Sequence, residues 1–308
     1  MIAPCDERND YVIDVRGVTR RFGTNRALDR VTLSVPRGVV FGLVGANGAG
    51  KTTLIRHVLG LLEAQAGSVR VFGLDPALDP VGVLSRTGYL AEETDLPGWM
   101  RVDELIRYTR AFYPSWDDRY AEQLRASFGL DPAAKIKSLS KGQRARAGLV
   151  AALAYRPELL VLDEPSSGLD PIVRRDILGA IVRTIADEGR TVLFSSHLLD
   201  EVERVSDCVA MLDRGRVVFA GALDQIKATH HHFTLRFDGG RASPPDLNGV
   251  LRWEPDGGDW TAVARGELSD FELAAAAAGG ELVERRSLSL DEIFLAQVGT
   301  TYVASPEA

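Results

Sequence analysis

The residues with the clearest chemical potential form one glycine-rich stretch, Gly45-Ala46-Asn47-Gly48-Ala49-Gly50-Lys51-Thr52-Thr53, called here the phosphate loop. It fits the pattern G-x-x-x-x-G-K-[ST] and lies between an apolar run at 39–44 and a helical pattern that begins at Leu54. Glycines allow backbone N–H groups to turn around phosphate oxygens, and a helix N-terminus adds partial positive charge. Lys51 is therefore predicted to reach the β- and γ-phosphates of a nucleoside triphosphate, and the Thr52 hydroxyl to bind magnesium.

Two carboxylates and one histidine follow other stretches that are typical of buried strands. Asp163 and Glu164 end the apolar run 159–162, and His197 follows the stretch 191–196, which ends in Ser195-Ser196. Uninterrupted apolar runs are typical of parallel strands covered on both faces, and open α/β sheets bind ligands at the carboxyl ends of their strands. The pair of acids is thus predicted to face a magnesium ion and an attacking water, with His197 on the same edge as the phosphate loop.

A second anion-binding pattern comes from Ser140-Lys141-Gly142-Gln143, which precedes a helical pattern at 145–153. Free N–H groups at a helix N-terminus bind anions. Phe22, just before a turn at 23–25, has two readings: it stacks on a purine base or it fills the core beneath the turn. The residue type alone favours the core.

The remaining patterns predict a chain of two domains. Residues 11–35 alternate as a strand hairpin, and the stretches 67–73 and 87–93 are typical of further strands. Residues 96–130 are typical of amphipathic helices in an insertion at about 92–150, whose aromatic residues are expected mostly in its core. We predict a polar tail at 1–10, a nucleotide-binding domain at 11–221, and a small α+β accessory domain at 222–308.

Composition excludes some classes of partner. The chain has 308 residues, a net charge of −7, 45% hydrophobic residues and 26% charged residues, and this balance is typical of globular proteins. The negative charge argues against a nucleic-acid partner. No segment approaches the ~18 continuous apolar residues of a membrane-spanning helix. If a membrane is involved, another chain is expected to cross it.

Five motifs together resemble the ATP-binding cassette (ABC) ATPase family across residues 11–221. They are the phosphate loop, the stretch Leu139-Ser140-Lys141-Gly142-Gln143 (the signature stretch), the run 159–164, the loop Ser167-Gly168-Leu169-Asp170, and His197. The resemblance implies a P-loop NTPase cassette of the α/β class: an antiparallel β subdomain, a mostly parallel core sheet with helices, and a helical insertion.

The resemblance also implies roles for single residues. ATP would lie between the phosphate loop of one cassette and the signature stretch of a second, so that Ser140 and Gly142 close on the γ-phosphate. Thr52 and Asp163 would hold Mg²⁺, Glu164 would polarise the water, and His197 would sense the γ-phosphate. These assignments add Asp170 as a link between the two sites and Phe22 as the base-stacking aromatic.

Two residues depart from the family pattern. Lys141 occupies a position that is usually glycine, and Glu92 one that is usually glutamine. An ionised glutamate only accepts hydrogen bonds, whereas glutamine also donates them. Glu92 remains a candidate ligand of magnesium, but its contact with the water or the insertion is expected to differ.

The expected function is an ATP-hydrolysing subunit that dimerises, as a homodimer or with a paired cassette subunit, and powers a permease on a separate chain. The C-terminal extension resembles that of cassette subunits whose permease is a separate chain, many of which are exporters. This resemblance favours an exporter, with this subunit on the cytoplasmic face of the membrane. Trp99 and Met100 are expected to contact the permease. Two alternatives stay open: a soluble mechanochemical ATPase, and a nucleotide-binding regulator with little turnover.

Overall fold

The computed structural model describes residues 10–92, 95–186 and 189–303. Contacts divide the chain into two compact units, with the boundary between Ala220 and Gly221. The first unit contains β1 (Tyr11–Phe22), β2 (Asn25–Pro36), β3 (Val40–Val44), α1 (Lys51–Val58), β4 (Ala66–Val71), α2 (Pro80–Leu84), β5 (Thr87–Leu90), α3 (Val102–Arg110), α4 (Asp118–Ser127), a 3₁₀ turn (Ile136–Ser138), α5 (Lys141–Leu153), β6 (Leu159–Asp163), α6 (Pro171–Ala186), β7 (Thr191–Ser196), α7 (Leu199–Val205), β8 (Cys208–Asp213) and β9 (Arg216–Ala222, which reaches across the boundary).

A six-stranded sheet forms the centre of the first unit, in the order β5-β6-β7-β3-β8-β9. Strand β3 is parallel to its neighbours β7 and β8, and β6 is parallel to β5 and β7. Every residue of β3, β6 and β7 is buried. Strands covered on both faces need apolar side chains at successive positions, which explains the uninterrupted apolar runs.

An antiparallel sheet of order β2-β1-β4 packs beside this centre. Val15 in β1 pairs with Leu33 in β2 and Val69 in β4. The core shared by the two sheets includes Phe41 and Leu54, both 1% exposed. The antiparallel β sheet, the mostly parallel central sheet with helices and the helical insertion expected from the sequence are all present.

The insertion differs from expectation in which residues it buries. Its core is mainly aliphatic, with Val102, Leu105 and Leu130 buried. Trp99, Tyr108 and Phe112 are instead 72%, 52% and 62% exposed. Helices α3 and α4 are short, so each buries only a narrow stripe, and the prediction that most aromatics lie in the core is wrong.

Helix α2 was not predicted because five residues are too few for an apolar period. Its start signal is nevertheless present, since Pro80 is the first helical residue and the Asp79 carboxylate accepts the Gly82 N–H at 2.9 Å.

The second unit, the accessory unit, begins at Gly221. Its elements are α8 (Leu223–Ala228), β10 (His230–Phe237), β11 (Val250–Asp256), β12 (Asp259–Arg265), α9 (Leu268–Ala277), β13 (Gly280–Ser287) and α10 (Leu290–Val303). The strands form a sheet of order β11-β12-β10-β13. Phe233 and Leu235 of β10 are fully buried with Phe271 of α9. The short helix α8 was not predicted.

An ion pair ties β13 to α10. Arg286 Nη2 lies 2.6 Å from Glu292 Oε1, and the Ser289 N–H donates to Glu292 Oε2 at 2.9 Å. The Arg286 guanidinium, with the Ser289 hydrogen bonds, lowers the pKa of the Glu292 carboxyl from 4.5 to about 2. The unfolded chain therefore binds more protons between these values, so this stabilisation is present above pH 4.5 and disappears as the pH falls towards 2.

We predict that Glu292→Gln flattens the rise of melting temperature with pH between about 2 and 4.5, because the titrating carboxyl is gone. Thermal unfolding at half-unit pH steps measures this slope. Glu284→Gln, which removes one carboxylate charge from β13, the strand that carries Arg286, is the control. An unchanged slope in Glu292→Gln contradicts the prediction.

Candidate functional site

The phosphate loop leaves the buried strand β3 and enters α1 at Lys51. Two of its glycines make approaches that no side chain permits. A Cβ on Gly45 would lie 2.3 Å from the Leu212 carbonyl oxygen, and one on Gly50 would lie 2.6 Å from the Ala27 carbonyl oxygen. Both residues also have positive φ values, 155° and 110°. The backbone of the phosphate loop thus packs directly against the backbone of β2 and of the end of β8, which only glycine permits at these two positions.

The turn between β8 and β9 supports the phosphate loop through a backbone hydrogen bond. The Gly215 N–H donates to the Ala49 carbonyl at 2.9 Å, and the Asp29 N–H donates to the Gly215 carbonyl at 2.8 Å. The Asp29 carboxylate in turn contacts Arg216 and Arg26, at 2.7 and 2.9 Å. Arg216 lowers the pKa of Asp29 most. Sequence reasoning missed this support, because its members lie far apart along the chain.

Lys51, Glu164 and His197 meet at one edge of the central sheet. Lys51 Nζ donates to the Gly45 carbonyl at 2.5 Å and lies 3.0 Å from Glu164 Oε1. The other oxygen of Glu164, Oε2, is 2.7 Å from His197 Nδ1. Lys51 and Glu164 are only 5% and 6% exposed. The structure brings all three together because they follow the adjacent parallel strands β3, β6 and β7.

Glu164 has an unusual backbone, with a φ of 48°. Its N–H donates to Ser195 Oγ at 2.9 Å, and the Ser195 hydroxyl donates to Asp163 Oδ1 at 2.7 Å. Left-handed backbone costs on the order of 1–3 kcal/mol in a non-glycine residue, so it persists where neighbouring contacts fix it. Sequence reasoning gave Ser195 no role, although a serine ending a buried apolar strand was a signal.

A cavity of about 780 Å³ opens beside these residues and is lined by Thr52, Asp163 and Glu92, among others. Asp163 is 2% exposed and has no cationic partner within the described part of the chain. Buried carboxylates are normally paired or bound to a metal ion, and hydroxyl and carboxylate oxygens are the ligands that Mg²⁺ prefers. The residues therefore fit a magnesium ion. Burial and the Asp163 charge also raise the pKa of Tyr89 in this cavity.

The signature stretch begins α5 with reciprocal caps. Ser140 Oγ accepts the Gln143 N–H at 3.2 Å, and Gln143 Oε1 accepts the Ser140 N–H at 3.0 Å. Ser140 is exposed, whereas Gly142 is buried because Val173 of α6 packs on it. Lys141 lines the same cavity as Thr52 and Asp163, but Ser140, Gly142 and Gln143 do not.

Two further predicted site residues lie apart from this cavity. The Asp170 carboxylate caps α6 by accepting the N–H groups of Ile172 and Val173, at 3.0 and 3.1 Å. Phe22 is 46% exposed, with the Arg20 guanidinium 4.9 Å above its ring. Phe22 is therefore not a core residue, and an exposed face is what base stacking requires.

No helix within residues 10–92, 95–186 and 189–303 has the length and apolar character needed to cross a membrane.

Comparisons with known proteins agree with this geometry. The family profile described as ABC transporter matches residues 28–167. The uncharacterized ABC transporter ATP-binding protein YhaQ of Bacillus subtilis is 32% identical over 304 residues, 94% of this chain and 100% of YhaQ. The daunorubicin/doxorubicin resistance ATP-binding protein DrrA of Streptomyces peucetius is 37% identical over 232 residues, 73% of this chain and 69% of DrrA.

Solved structures support the same conclusion. An ATP-binding subunit of an ABC transporter superposes with a TM-score of 0.65 at 30% identity, covering 70% of this chain and 92% of that one. The dimeric cassette MJ0796, bound to ADP and Pi, gives a TM-score of 0.61 at 20% identity, covering 68% and 98%, which shows a shared fold. The phosphate loop, the strand-end acids and these similarities together show that the chain belongs to the ABC transporter family, as an ATP-binding subunit.

Proposed function

We propose that this subunit hydrolyses ATP and thereby powers an exporter whose permease is a separate chain. The observation that carries the proposal is the contact of both Lys51 and His197 with the buried Glu164 carboxylate. The names of two relatives, a daunorubicin/doxorubicin resistance protein and the probable multidrug ABC transporter protein YbhF of Escherichia coli, support export.

Lys51 changes partners when the nucleotide binds. Its ammonium now contacts the Gly45 carbonyl and Glu164 Oε1, and phosphate oxygens carry more negative charge than either. Once Lys51 turns to the phosphates, Oε1 of Glu164 is released from the ammonium and can accept a hydrogen bond from the attacking water. ATP thus prepares the base that is used for its own hydrolysis.

In the hydrolysis step, Glu164 accepts a proton from water as the water oxygen bonds to the γ-phosphorus. The bond between that phosphorus and the β–γ bridging oxygen breaks, and ADP leaves. His197, held by Oε2 of Glu164, is placed to sense the γ-phosphate.

Thr52 and Asp163 are the residues that would hold Mg²⁺, which neutralises phosphate charge when bound. Glu92 is exposed and lines the same cavity, where it would add a third oxygen ligand or accept a hydrogen bond from water.

A second cassette completes the site in this proposal. The exposed Ser140 and the free N–H groups at the start of α5 form an anion-binding helix terminus. Ser140 and Gly142 of one cassette would close on the γ-phosphate held by the other, and Asp170 would link the two sites. Phe22 would stack on the adenine.

The permease is proposed to occupy an apolar groove beside the insertion, lined by residues that include Leu61, Leu96, Tyr113 and Ala151. Trp99 is 72% exposed and belongs to the proposed contact surface. Met100 does not, since it is only 5% exposed beneath the insertion surface. We therefore leave Met100 out of the proposed contact surface.

We predict that Glu164→Gln binds ATP but lowers turnover by about 10²-fold or more, because the amide cannot accept the proton. The variant should accumulate as an ATP-bound dimer. Phosphate release and size-exclusion chromatography measure both effects. Turnover like that of the wild type would refute the assignment of Glu164 as the base.

Ser195→Ala is predicted to destabilise the protein by about 1–3 kcal/mol, because it leaves the buried Glu164 N–H without an acceptor. It should also lower turnover, since the backbone of Glu164 loses its anchor. Thermal unfolding and ATPase assays measure the two effects. The control is Ser138→Ala, which removes an exposed hydroxyl bonded to the nearby Lys135 carbonyl; equal effects in both variants would contradict the prediction.

Leu96→Glu and Trp99→Glu are predicted to reduce co-purification of the permease, because a charge would enter an apolar contact, while ATP binding persists. Affinity capture from membranes measures the loss. Leu273→Glu, at a position that is also 72% exposed but lies in the accessory unit, is the control. Undiminished capture of the permease by both Leu96→Glu and Trp99→Glu would rule out this surface.

A further inference from the structure

Lys141 is the first residue of α5 and is exposed. Its charge does not stabilise the helix, because the N-terminal end of a helix carries partial positive charge and disfavours a cation. The reciprocal caps already satisfy two N–H groups at the helix start, those of Ser140 and Gln143. The ammonium therefore has a role outside the helix.

That role is visible in one contact. Lys141 Nζ donates to the Ser167 carbonyl at 2.7 Å. The next residue, Gly168, has a φ of 65°, and a Cβ there would lie 2.8 Å from Nζ. Glycine at 168 thus leaves the space that the ammonium occupies.

The contact falls in the middle of the loop 165–170, which follows directly after Glu164. At one end of this loop the Ser166 hydroxyl donates to the buried Glu201 carboxylate at 2.5 Å. At the other end Asp170 caps α6. Lys141 supplies a side-chain contact between these two anchors, and Gly142 packs beside it on Val173.

We propose that Lys141 is a positioning residue, which holds the loop 165–170 on the first turn of α5 through the Ser167 carbonyl. The signature stretch and the loop behind Glu164 then move as one body. A glycine at position 141 lacks this tether. The tether stands on geometry alone, whereas its effect on ATP hydrolysis rests on the proposed function.

Amide hydrogen exchange of the full chain without nucleotide tests the tether. The Ser167 N–H donates to the Glu164 carbonyl and the Leu169 N–H to the Ser166 carbonyl, so both amides report opening of the loop. Lys141→Met should make them exchange about tenfold faster, as expected for loss of a charge-assisted hydrogen bond. The Arg144 amide in α5 should not change, since Lys141 does not stabilise the helix.

Two further variants complete the test. Lys141→Arg retains a cationic donor and should restore slow exchange. Lys135→Met removes the same charge from an exposed position in the insertion and should leave both amides unchanged. Wild-type exchange in Lys141→Met, or equal acceleration in Lys135→Met, would overturn the proposal.

Steady-state kinetics separate this proposal from the proposed function. Lys141→Met should lower kcat and leave the KM for ATP nearly unchanged, with recovery in Lys141→Arg, because the phosphate loop is untouched. A raised KM for ATP with an unchanged kcat in Lys141→Met would overturn the positioning role. A wild-type chain without ATPase activity would refute the proposed function, while the exchange experiment would still decide the tether.

Discussion

The first unit depends on one buried carboxylate, that of Glu164, which is contacted on both of its oxygens. A buried carboxylate is costly unless it is paired, and Glu164 meets this condition with a lysine on one oxygen and a histidine on the other. Each partner comes from a different strand end. The order of the central sheet therefore brings the partners of this carboxylate together, since β6, β7 and β3 are neighbours.

A similar constraint governs Asp163. It is buried without a cationic partner among the described residues, and its one hydrogen bond comes from Ser195. Ser195 in turn fixes the backbone of Glu164. One hydroxyl thus contacts both acids, through the backbone N–H of Glu164 and the carboxylate of Asp163.

Much of this organisation was predictable from the sequence, and the reasons are physical. Apolar runs indicated the buried strands, because strands covered on both faces are made mostly of apolar side chains. The glycines at 45 and 50 predicted the phosphate loop. The residues that follow the buried strands could be placed at one edge of the sheet, because those strands are parallel. Contacts between distant segments could not be predicted, as the Asp29–Arg216 pair and the Lys141–Ser167 contact show. Exposure within the insertion was also mispredicted, since an aromatic residue at helical spacing packs inward or outward with the same pattern.

The support beneath the phosphate loop has a consequence for biosynthesis. The loop residues emerge early from the ribosome, but the turn that bonds Ala49 comes from Gly215, more than 160 residues later. Until that turn emerges, the phosphate loop lacks its hydrogen bond from Gly215. Asp29 also lacks its ion pair with the Arg216 guanidinium. The nascent chain thus contains the whole phosphate loop before the turn that supports it has been made. Bound ATP can therefore stabilise the folded first unit only near the end of that unit's translation.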